Sequence, residues 1–328
     1  MAELFGPIGR MYDWLMSMGD PRVADWPLMS SPFPIVSIIA FYIYTVTVLG
    51  PKFMKNRQPY PIEPIIIVYN IIMVIASAAF FYYGGQLTYF PPGGKFSLVC
   101  EPIDYSTKPE SMRLPKLSWW LLLLKMTEFS DTIFFVLRKK FTHISMLHVM
   151  HHSMVAWGFW TGLKFGAGGH NAFFPLINLF IHTIMYSYYC LAALGPSVRK
   201  YLWWKKYLTI LQMVQFGIAL VHACIPLFVD CGFPKFFIYV LVGHAVFFFG
   251  MFLNFYRRSY KVDNNDENNN NGQIVHKNKS NQRFTKKYIG NGNNLVHRHV
   301  SNKKKNISQI HDLKTSRTAN FVNGSMSR

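Results

Sequence analysis

Three histidines fall within five residues of the sequence, at His148, His151 and His152. Residues at i, i+3 and i+4 share one face of an α-helix, so the three imidazoles are expected to point in one direction. The surrounding residues are mostly apolar, which places this histidine cluster in a helix of low polarity. Three kinds of site fit the pattern: a metal site, a histidine nucleophile or base, and a polar contact that only joins helices.

Three neighbouring apolar segments carry polar stripes of their own. The stripes are Lys125, Glu128, Asp131 and Thr132 in "KMTEFSDT", Asn178, His182, Tyr186 and Tyr189 in "NLFIHTIMYSYY", and Thr209, Gln212 and Gln215 in "TILQMVQ". Spacings of three or four residues keep most members of a stripe on one helix face. Charged side chains inside a membrane helix are costly, so they face a bundle interior or a cavity.

The elements that position these residues follow from the distribution of apolar and basic residues. About half of the chain is apolar (51%), yet the formal net charge is +19. The apolar residues form blocks of about 20, long enough to cross a bilayer, and basic residues separate them. We predict an all-α, polytopic membrane protein with seven transmembrane helices and a polar site inside the bundle. The predicted spans are 35–50, 65–83, 117–137, 144–163, 172–194, 207–229 and 236–256.

The positive charges also predict an orientation. One set of loops and the C-terminal end carry clusters of Lys and Arg, which indicates the cytoplasmic side. With seven spans, the N-terminus is then lumenal. We expect a lumenal N-terminal segment (1–34) without a cleaved signal peptide, a seven-helix transmembrane domain (35–256) and a basic, Asn-rich cytoplasmic tail (257–328) that is too polar to fold.

The four stripes are expected to lie at a common depth. At about 1.5 Å per residue, they lie roughly 6 to 17 Å from the cytoplasmic ends of their helices. A single polar site open to the cytosol explains this coincidence. A purely structural contact between helices would not require a lysine, two carboxylates and four imidazoles at one level.

Imidazole catalysis fits the site better than a metal does. Membrane di-iron oxygenases gather their histidines in several clusters, whereas this sequence has one cluster and single histidines elsewhere in its spans. A site of low dielectric constant favours neutral imidazole, which is both a nucleophile and a base. Imidazole is also a good leaving group, so an acyl group on its nitrogen stays activated. We therefore expect no metal, and we favour acyl transfer from coenzyme A to a carbon nucleophile over a di-iron fatty acid oxygenase.

The four cysteines test the predicted orientation. Cys190 and Cys224 fall within spans, whereas Cys100 and Cys231 fall in two loops on the lumenal side. Because that compartment is oxidising, we predict a disulfide between Cys100 and Cys231. The alternative is a pair of unrelated free thiols.

The motifs "KMTEFSDT", "HVMHH", "NLFIHTIMYSYY" and "TILQMVQ", in this order on successive spans, resemble the very-long-chain fatty acid elongase (ELO) family. The segment "GDPRVADWPLMSSP" resembles its insect members. The resemblance implies a 3-oxoacyl-CoA synthase that condenses a long-chain acyl-CoA with malonyl-CoA, releases CO2 and CoA, and extends the fatty acid by two carbons. It also implies no bound cofactor, the endoplasmic reticulum membrane, and the lipid bilayer and the other enzymes of the elongation cycle as partners. We expect no nucleic-acid partner.

The resemblance assigns roles to two histidines. It implies that His151 accepts the acyl group as an acyl-imidazole and that His182 binds and activates the malonyl unit. We further expect His148 and His152 to orient the reacting ring or to relay protons.

The companion residues are expected to support these rings. Glu128 and Asp131 would fix histidine tautomers by accepting N–H bonds. Lys125 would meet either an anionic substrate group or Glu128. The residues expected to donate hydrogen bonds to a thioester or enolate oxygen are Asn178, Tyr186 and Gln212, and Tyr189 and Gln215 are further supporting residues of the same stripes.

Two parts of the substrate have expected places. The acyl chain would run through the bundle toward the lumen, so the depth of the pocket would set the preferred chain length. The cytoplasmic rim holds candidate ligands for the phosphates of CoA, namely Arg138, Lys139, Lys140, Lys205 and Lys206. The alternative is that these residues only set the orientation of the chain.

Overall fold

The long apolar runs fold into helices because a backbone inside a membrane must satisfy its hydrogen bonds internally. The computed structural model describes residues 6–260. Its α-helices are α1 (Pro7–Ser17), α2 (Phe33–Tyr44), α3 (Gly50–Met54), α4 (Glu63–Leu87), α5 (Arg113–Thr127), α6 (Phe129–Leu137), α7 (Met146–Gly166), α8 (Phe173–Ala193), α9 (Pro196–Arg199), α10 (Lys205–Cys224) and α11 (Lys235–Tyr260). A π-helical turn, Thr45–Leu49, joins α2 to α3, and short 3₁₀ turns lie at Pro21–Val23, Phe141–His143, Gly169–Ala172 and Ile225–Leu227.

Helices coincide with all seven predicted spans, and the all-α, polytopic class is confirmed. Within the described residues, five helical segments are both long enough and apolar enough to cross a membrane. They are Phe33–Met54, Glu63–Leu87, Gly169–Ala193, Lys205–Leu227 and Lys235–Ser259. The third and fourth predicted spans are helical too, but the third is divided into helices of 15 and 9 residues and the fourth carries the histidine cluster.

The third and seventh spans differ in detail from the structure. In the third, α5 ends at Thr127 and α6 begins at Phe129, with Glu128 between them. The last helix continues to Tyr260, so the first four residues of the predicted tail, 257–260, are helical. The remainder of that tail, 261–328, lies outside the described residues.

The contacts between helices close the bundle into a ring. Each of six helices packs against the next in the order α4, α5, α7, α11, α10 and α8, and α8 returns to α4. The first span lies outside this ring, where α2 packs against α7 and α3 packs against α6. The interior of the ring is therefore lined by the helices that carry the polar stripes.

The end of the ring opposite the histidine cluster, called here the far end, is covered by chain segments. The indoles of Trp119 and Trp160 donate hydrogen bonds to the carbonyls of Pro27 and Leu28, at 3.0 and 2.8 Å. The N-terminal segment is thereby fixed over α5 and α7.

The loop after α4 completes this cover. Cys100 and Cys231 are joined by a disulfide, with their Cα atoms 6.0 Å apart. The backbone N–H of His170 donates to the carbonyl of Glu101 at 2.8 Å. The loop is thus attached both to the 3₁₀ turn before α8 and to the turn before α11.

Removal of the disulfide is expected to destabilise the protein. Cys100 and Cys231 are 131 residues apart in sequence, and losing the cross-link of so long a loop costs about 2–5 kcal/mol. Cys100→Ser, Cys231→Ser and the double variant should therefore show the same lowered unfolding temperature in detergent. Cys190→Ser, which changes a free cysteine, is the control. A mobility shift on reduction that persists in Cys100→Ser would contradict this pairing.

Candidate active site

A buried charge cluster lies between α5 and α8. The Nζ atom of Lys125 lies 2.9 Å from Glu128 Oε1 and 2.7 Å from Asn178 Oδ1. Both charged side chains are about 1% exposed. Of the two partners expected for Lys125, the structure therefore places Glu128 beside it. The oxygen of Asn178 accepts a hydrogen bond from this lysine.

The same carboxylate orients His182. The Nδ1 atom of His182 lies 3.1 Å from Glu128 Oε1 and 3.4 Å from the Nζ atom of Lys125. Because a carboxylate only accepts hydrogen bonds, the shorter contact requires a proton on Nδ1. Nε2 is then the basic nitrogen of the neutral ring. This is the tautomer-fixing contact that the sequence predicted for Glu128.

Asp131 has a different partner from the one expected. Its Oδ2 atom accepts a hydrogen bond of 2.8 Å from the hydroxyl of Tyr186 and not from a histidine. Asp131 lies six residues after Lys125, about 120° away from it around an α-helix, so its side chain faces different neighbours. The hydroxyl proton of Tyr186 is therefore directed to Asp131, whereas the sequence suggested a substrate oxygen.

The histidine cluster contains one ring that is held by hydrogen bonds to protein groups. The Nε2 atom of His148 lies 2.9 Å from the Oγ1 atom of Thr132, which lies 2.8 Å from the hydroxyl of Tyr42. His148 also packs edge-on against His152, with ring centroids 4.5 Å apart. Tyr42 was missed in the sequence because it stands in an apolar span that has no charged residue or histidine at helical spacing from it.

His151 has a different environment. Its ring packs edge-on against His152 at 5.5 Å, and against Phe248 and Phe252 of α11 at 5.2 and 6.1 Å. Among the described residues, its contacts are with these rings, and it has no hydrogen bond to a protein group. It interacts electrostatically with His182. His151 thus lies beside the charge cluster, and its ring nitrogens are free to bind a ligand.

Two of the remaining stripe residues, Gln212 and Tyr189, lie away from the charge cluster. The amide of Gln212 donates to the Sδ atom of Met185 at 3.5 Å. Tyr189 is 37% exposed and packs edge-on against Tyr186. Gln215 is buried. Helical spacing identified the face of α10 correctly as partly buried, but it did not identify the neighbours across that face.

A cavity lies inside the ring, between the level of Phe248 and the far end. It is enclosed by the ring, and mostly apolar side chains line it. Each ring helix contributes to the wall, for example through Phe80, Leu121, Val155, Leu176, Phe216 and Phe248. Phe248 lines the cavity and also contacts His151, so one side chain separates the His151 ring from the cavity.

On the other side of the histidine cluster lies the basic rim, and three of its five predicted phosphate ligands contact other protein groups. Arg138 forms an ion pair with Glu63. The Nζ atom of Lys139 lies 3.2 Å from the carbonyl oxygen of Lys55. Lys206 lies over an aromatic ring, 6.0 Å from the centroid of Tyr256.

The other rim cations lie close together around His143. Burial, Arg138 and Arg199 lower the pKa of Lys140. Burial, followed by the charges of Lys140 and Lys205, lowers the pKa of His143. Mutual repulsion of this kind favours binding of an anion. Of the five predicted phosphate ligands, Lys140 and Lys205 thus have the surroundings that suit the role best.

Comparison with known proteins agrees with these features. The family model ELO, the GNS1/SUR4 family, matches residues 27–268. The chain is 47% identical over 265 residues to a very long chain fatty acid elongase of Aedes aegypti, which covers 80% of this chain and 73% of the relative. It is 47% identical over 260 residues to very long chain fatty acid elongase 7 of Drosophila melanogaster, covering 78% and 77%. It is 42% identical over 260 residues to very long chain fatty acid elongase 4 of Mus musculus, covering 79% and 82%.

The resemblance inferred from the four motifs is therefore confirmed, and a di-iron oxygenase is set aside. The protein is a membrane acyltransferase that acts in fatty acid elongation. The chain belongs to the ELO family of very-long-chain fatty acid elongases, the 3-ketoacyl-CoA synthases.

Proposed function

We propose that this elongase condenses a long-chain acyl-CoA with malonyl-CoA through an acyl-imidazole on His151. The observation that carries the proposal is the position of this ring. His151 contacts Phe248 of the cavity wall and interacts electrostatically with His182, and its nitrogens have no hydrogen bond to a described protein group. His148 and His182, in contrast, are held by Thr132 and Glu128.

In the first half-reaction, a nitrogen of His151 attacks the thioester carbon of the acyl-CoA. The carbon–sulfur bond breaks, CoA leaves as a thiolate that takes up a proton, and the acyl group remains on the ring. Transfer to a neutral nucleophile in a site of low polarity is favourable because no charged side chain must first be desolvated. His152 and Phe248 pack edge-on against the ring of His151 and orient it.

In the second half-reaction, malonyl-CoA occupies the site that CoA has left. Loss of CO2 gives an enolate, whose carbon attacks the acyl-imidazole, and His151 leaves as the product 3-ketoacyl-CoA forms. His182 binds the thioester of the malonyl unit. Glu128 keeps the proton of His182 on Nδ1, and Lys125 neutralises the carboxylate. Lys125 and Glu128 act in this mechanism as positioning residues.

The bound substrate extends in two directions from His151. The acyl chain lies in the apolar cavity, whose depth sets the longest chain that fits. The phosphates of CoA lie at the basic rim near Lys140 and Lys205. No bound cofactor takes part.

The proposed location is the endoplasmic reticulum membrane, with the N-terminus lumenal and the C-terminus cytoplasmic. The basic rim and the disulfide support this orientation, because they lie at opposite ends of the ring. The three regions 1–34, 35–256 and 257–328 keep their proposed roles as lumenal segment, catalytic domain and cytoplasmic tail, except that α11 extends to Tyr260. The bilayer and the other enzymes of the elongation cycle are the proposed partners.

Membranes that contain the protein test the function directly. Incubation with labelled malonyl-CoA and acyl-CoAs of several lengths should place label in acyl products that are two carbons longer. Acyl-CoA alone should leave its acyl group on the protein, and unlabelled malonyl-CoA should then release it. Absence of label from longer products at every chain length would overturn the proposed reaction.

Binding of CoA esters should depend on pH through His143. Because burial and neighbouring cations lower the pKa of His143, this ring is neutral at pH 7. A nearby phosphate would stabilise the protonated ring, so binding takes up a proton and becomes tighter as the pH falls. We expect the KM for acyl-CoA to fall several-fold between about pH 7.5 and pH 6, which is the range in which an ordinary histidine titrates.

The matched variants are His143→Asn at the rim and His170→Asn at the far end. The first should remove the pH dependence of KM, whereas the second should retain it. The same pH dependence in His143→Asn as in the unaltered protein would contradict the placement of the phosphates at this rim.

A further inference from the structure

Two hydroxyl groups join the first span to the histidine cluster. The hydroxyl of Tyr42 lies 2.8 Å from Oγ1 of Thr132, and that oxygen lies 2.9 Å from Nε2 of His148. The three side chains belong to α2, α6 and α7. Tyr42 thus connects a helix outside the ring with the histidines inside it. The proposed mechanism uses neither hydroxyl.

The burial of the two hydroxyls fixes the direction of these hydrogen bonds. Tyr42 is 4% exposed and Thr132 is fully buried, so water does not compete for either group. Within the described part of the chain, the hydroxyl of Tyr42 has Thr132 as its hydrogen-bond partner. A buried O–H group without an acceptor is costly, so Tyr42 donates to Thr132. The proton of Thr132 is then available for Nε2 of His148.

This direction determines the tautomer of His148. Nε2 accepts the hydrogen bond from Thr132, so the neutral ring carries its proton on Nδ1. Nδ1 has no hydrogen bond to a described protein group, yet it is not sealed inside the protein, since the ring is only half-buried. The two nitrogens of an imidazole point to nearly opposite sides, so the N–H group points away from α6. His148 therefore presents a donor that a ligand can reach.

Packing holds the two hydroxyls in place. Tyr42 stacks on Phe129, with ring centroids 4.2 Å apart and an interplanar angle of 12°. Phe129 and Thr132 lie three residues apart on α6, so the ring that supports Tyr42 and the hydroxyl that accepts its proton belong to one helical turn. The hydrogen bonds are therefore in place before a substrate binds.

His148 lies between the basic rim and the proposed nucleophile. On the rim side, its ring packs against Phe135 at 5.5 Å, and Phe135 packs against His143 at 5.2 Å. On the other side, it packs against His152, which packs against His151. His148 and His151 also interact electrostatically. A thioester with its CoA at the rim and its carbonyl carbon at His151 therefore passes His148.

Attack on a thioester moves negative charge onto its carbonyl oxygen. An N–H group that is already directed at this oxygen stabilises the transition state. A proton on Nε2 of His148 would instead leave a lone pair at Nδ1, which would repel the oxygen. We propose that Tyr42 and Thr132 are positioning residues that keep the proton of His148 on Nδ1, where it donates a hydrogen bond to the thioester oxygen of the acyl-CoA. This proposal rests on the proposed function, because it takes His151 to be the acyl acceptor.

Removal of the hydroxyls tests the proposal. Thr132→Val removes the donor to Nε2 at nearly constant size, so kcat should fall about tenfold with little change in the KM for acyl-CoA. Tyr42→Phe should lower kcat by less, because Thr132 can still donate. Thr132→Ser keeps the hydroxyl and should keep the kcat of the unaltered protein. The control is Thr183→Val, which removes a hydroxyl that donates to the carbonyl of Leu179 in its own helix and should change neither constant.

Variants of His148 distinguish the tautomer from packing. His148→Asn keeps an N–H donor close to the position of Nδ1, but it has no second ring nitrogen for Thr132 to hold. This variant should retain most of its activity. His148→Leu keeps no donor and should lower kcat about 10²-fold or more. In the asparagine background, Thr132→Val and Tyr42→Phe should have no further effect.

The rate at which acyl-CoA alone acylates the protein assigns each loss to the first half-reaction. The hydroxyl role is overturned if Thr132→Ser is impaired as much as Thr132→Val, or if the valine variant costs the same in the asparagine background. Unchanged rates in both Thr132→Val and Tyr42→Phe would overturn it too. If the valine variant does not fold, Tyr42→Phe in the two backgrounds gives the same comparison. Failure of the unaltered protein to become acylated overturns the proposed function instead.

Discussion

Replacement of His151 with alanine is expected to lower elongation by about 10⁴-fold or more, because it removes the proposed nucleophile. The packing of the His151 imidazole indicates that the variant should lose activity without losing its fold. His151 contacts aromatic rings of α11 at the wall of the cavity, so alanine leaves a small void but breaks no hydrogen bond to a described residue. The variant should therefore fold. Product formation from labelled malonyl-CoA measures the loss of activity, and the unfolding temperature in detergent measures the retained fold.

A second histidine variant separates the two half-reactions. His182→Ala keeps the proposed nucleophile but removes the ring that Glu128 orients. It should still accept an acyl group from acyl-CoA and should accumulate it, because the malonyl step fails. His151→Ala should accumulate none. The mass of the intact protein after incubation with acyl-CoA alone distinguishes the two, and an acyl adduct on His151→Ala would eliminate this residue as the nucleophile.

Replacement of Lys125 with methionine is expected to destabilise the protein by about 3–5 kcal/mol, because it leaves Glu128 as an unpaired buried charge. Both partners are about 1% exposed, so water cannot replace the lysine. Glu128→Gln should be destabilising for the complementary reason. The double variant removes both charges and should recover much of the lost stability. Unfolding temperatures of the four proteins in one detergent give the coupling between the two residues.

Activity measurements on the same variants then distinguish a loss of stability from a loss of the orientation of His182. The double variant lacks the carboxylate that holds the proton of His182 on Nδ1, so we expect it to be folded and yet strongly impaired. Lys116→Met alters an exposed lysine on the same helix and should change neither property. Full activity in the double variant would show that the ion pair has no part in orienting His182.

The sequence predicted the elements and the chemistry of the site better than its detailed contacts. Helical spacing placed Lys125 and Glu128 on one face, and their short separation along one helix made the ion pair one of two expected outcomes. The same spacing failed for Asp131, because six residues of α-helix turn its side chain about 120° away from that of Lys125. Repeated steps of three residues drift around a helix, so the last member of such a stripe faces different neighbours from the first.

The spacing of polar residues in the sequence could not predict the contacts between helices across the ring. Spacing tells which face of a helix is polar, but the choice of neighbouring helix depends on packing between segments that are far apart in sequence. Tyr42, which joins the first span to Thr132, is one example. Gln212, which donates to Met185, is another. In both cases, the partner lies on a helix whose position could not be derived from the sequence pattern.

The order of helices around the ring has a consequence for how the enzyme is made. The helices α4, α5 and α7 form one half, and α8, α10 and α11 form the other half, which runs around the ring in the opposite direction. The halves meet at two seams, α4 against α8 and α7 against α11. His151 belongs to the first half and His182 to the second. Neither half contains both rings of the proposed mechanism, so under that mechanism a nascent chain is inactive until the second half has packed against the first.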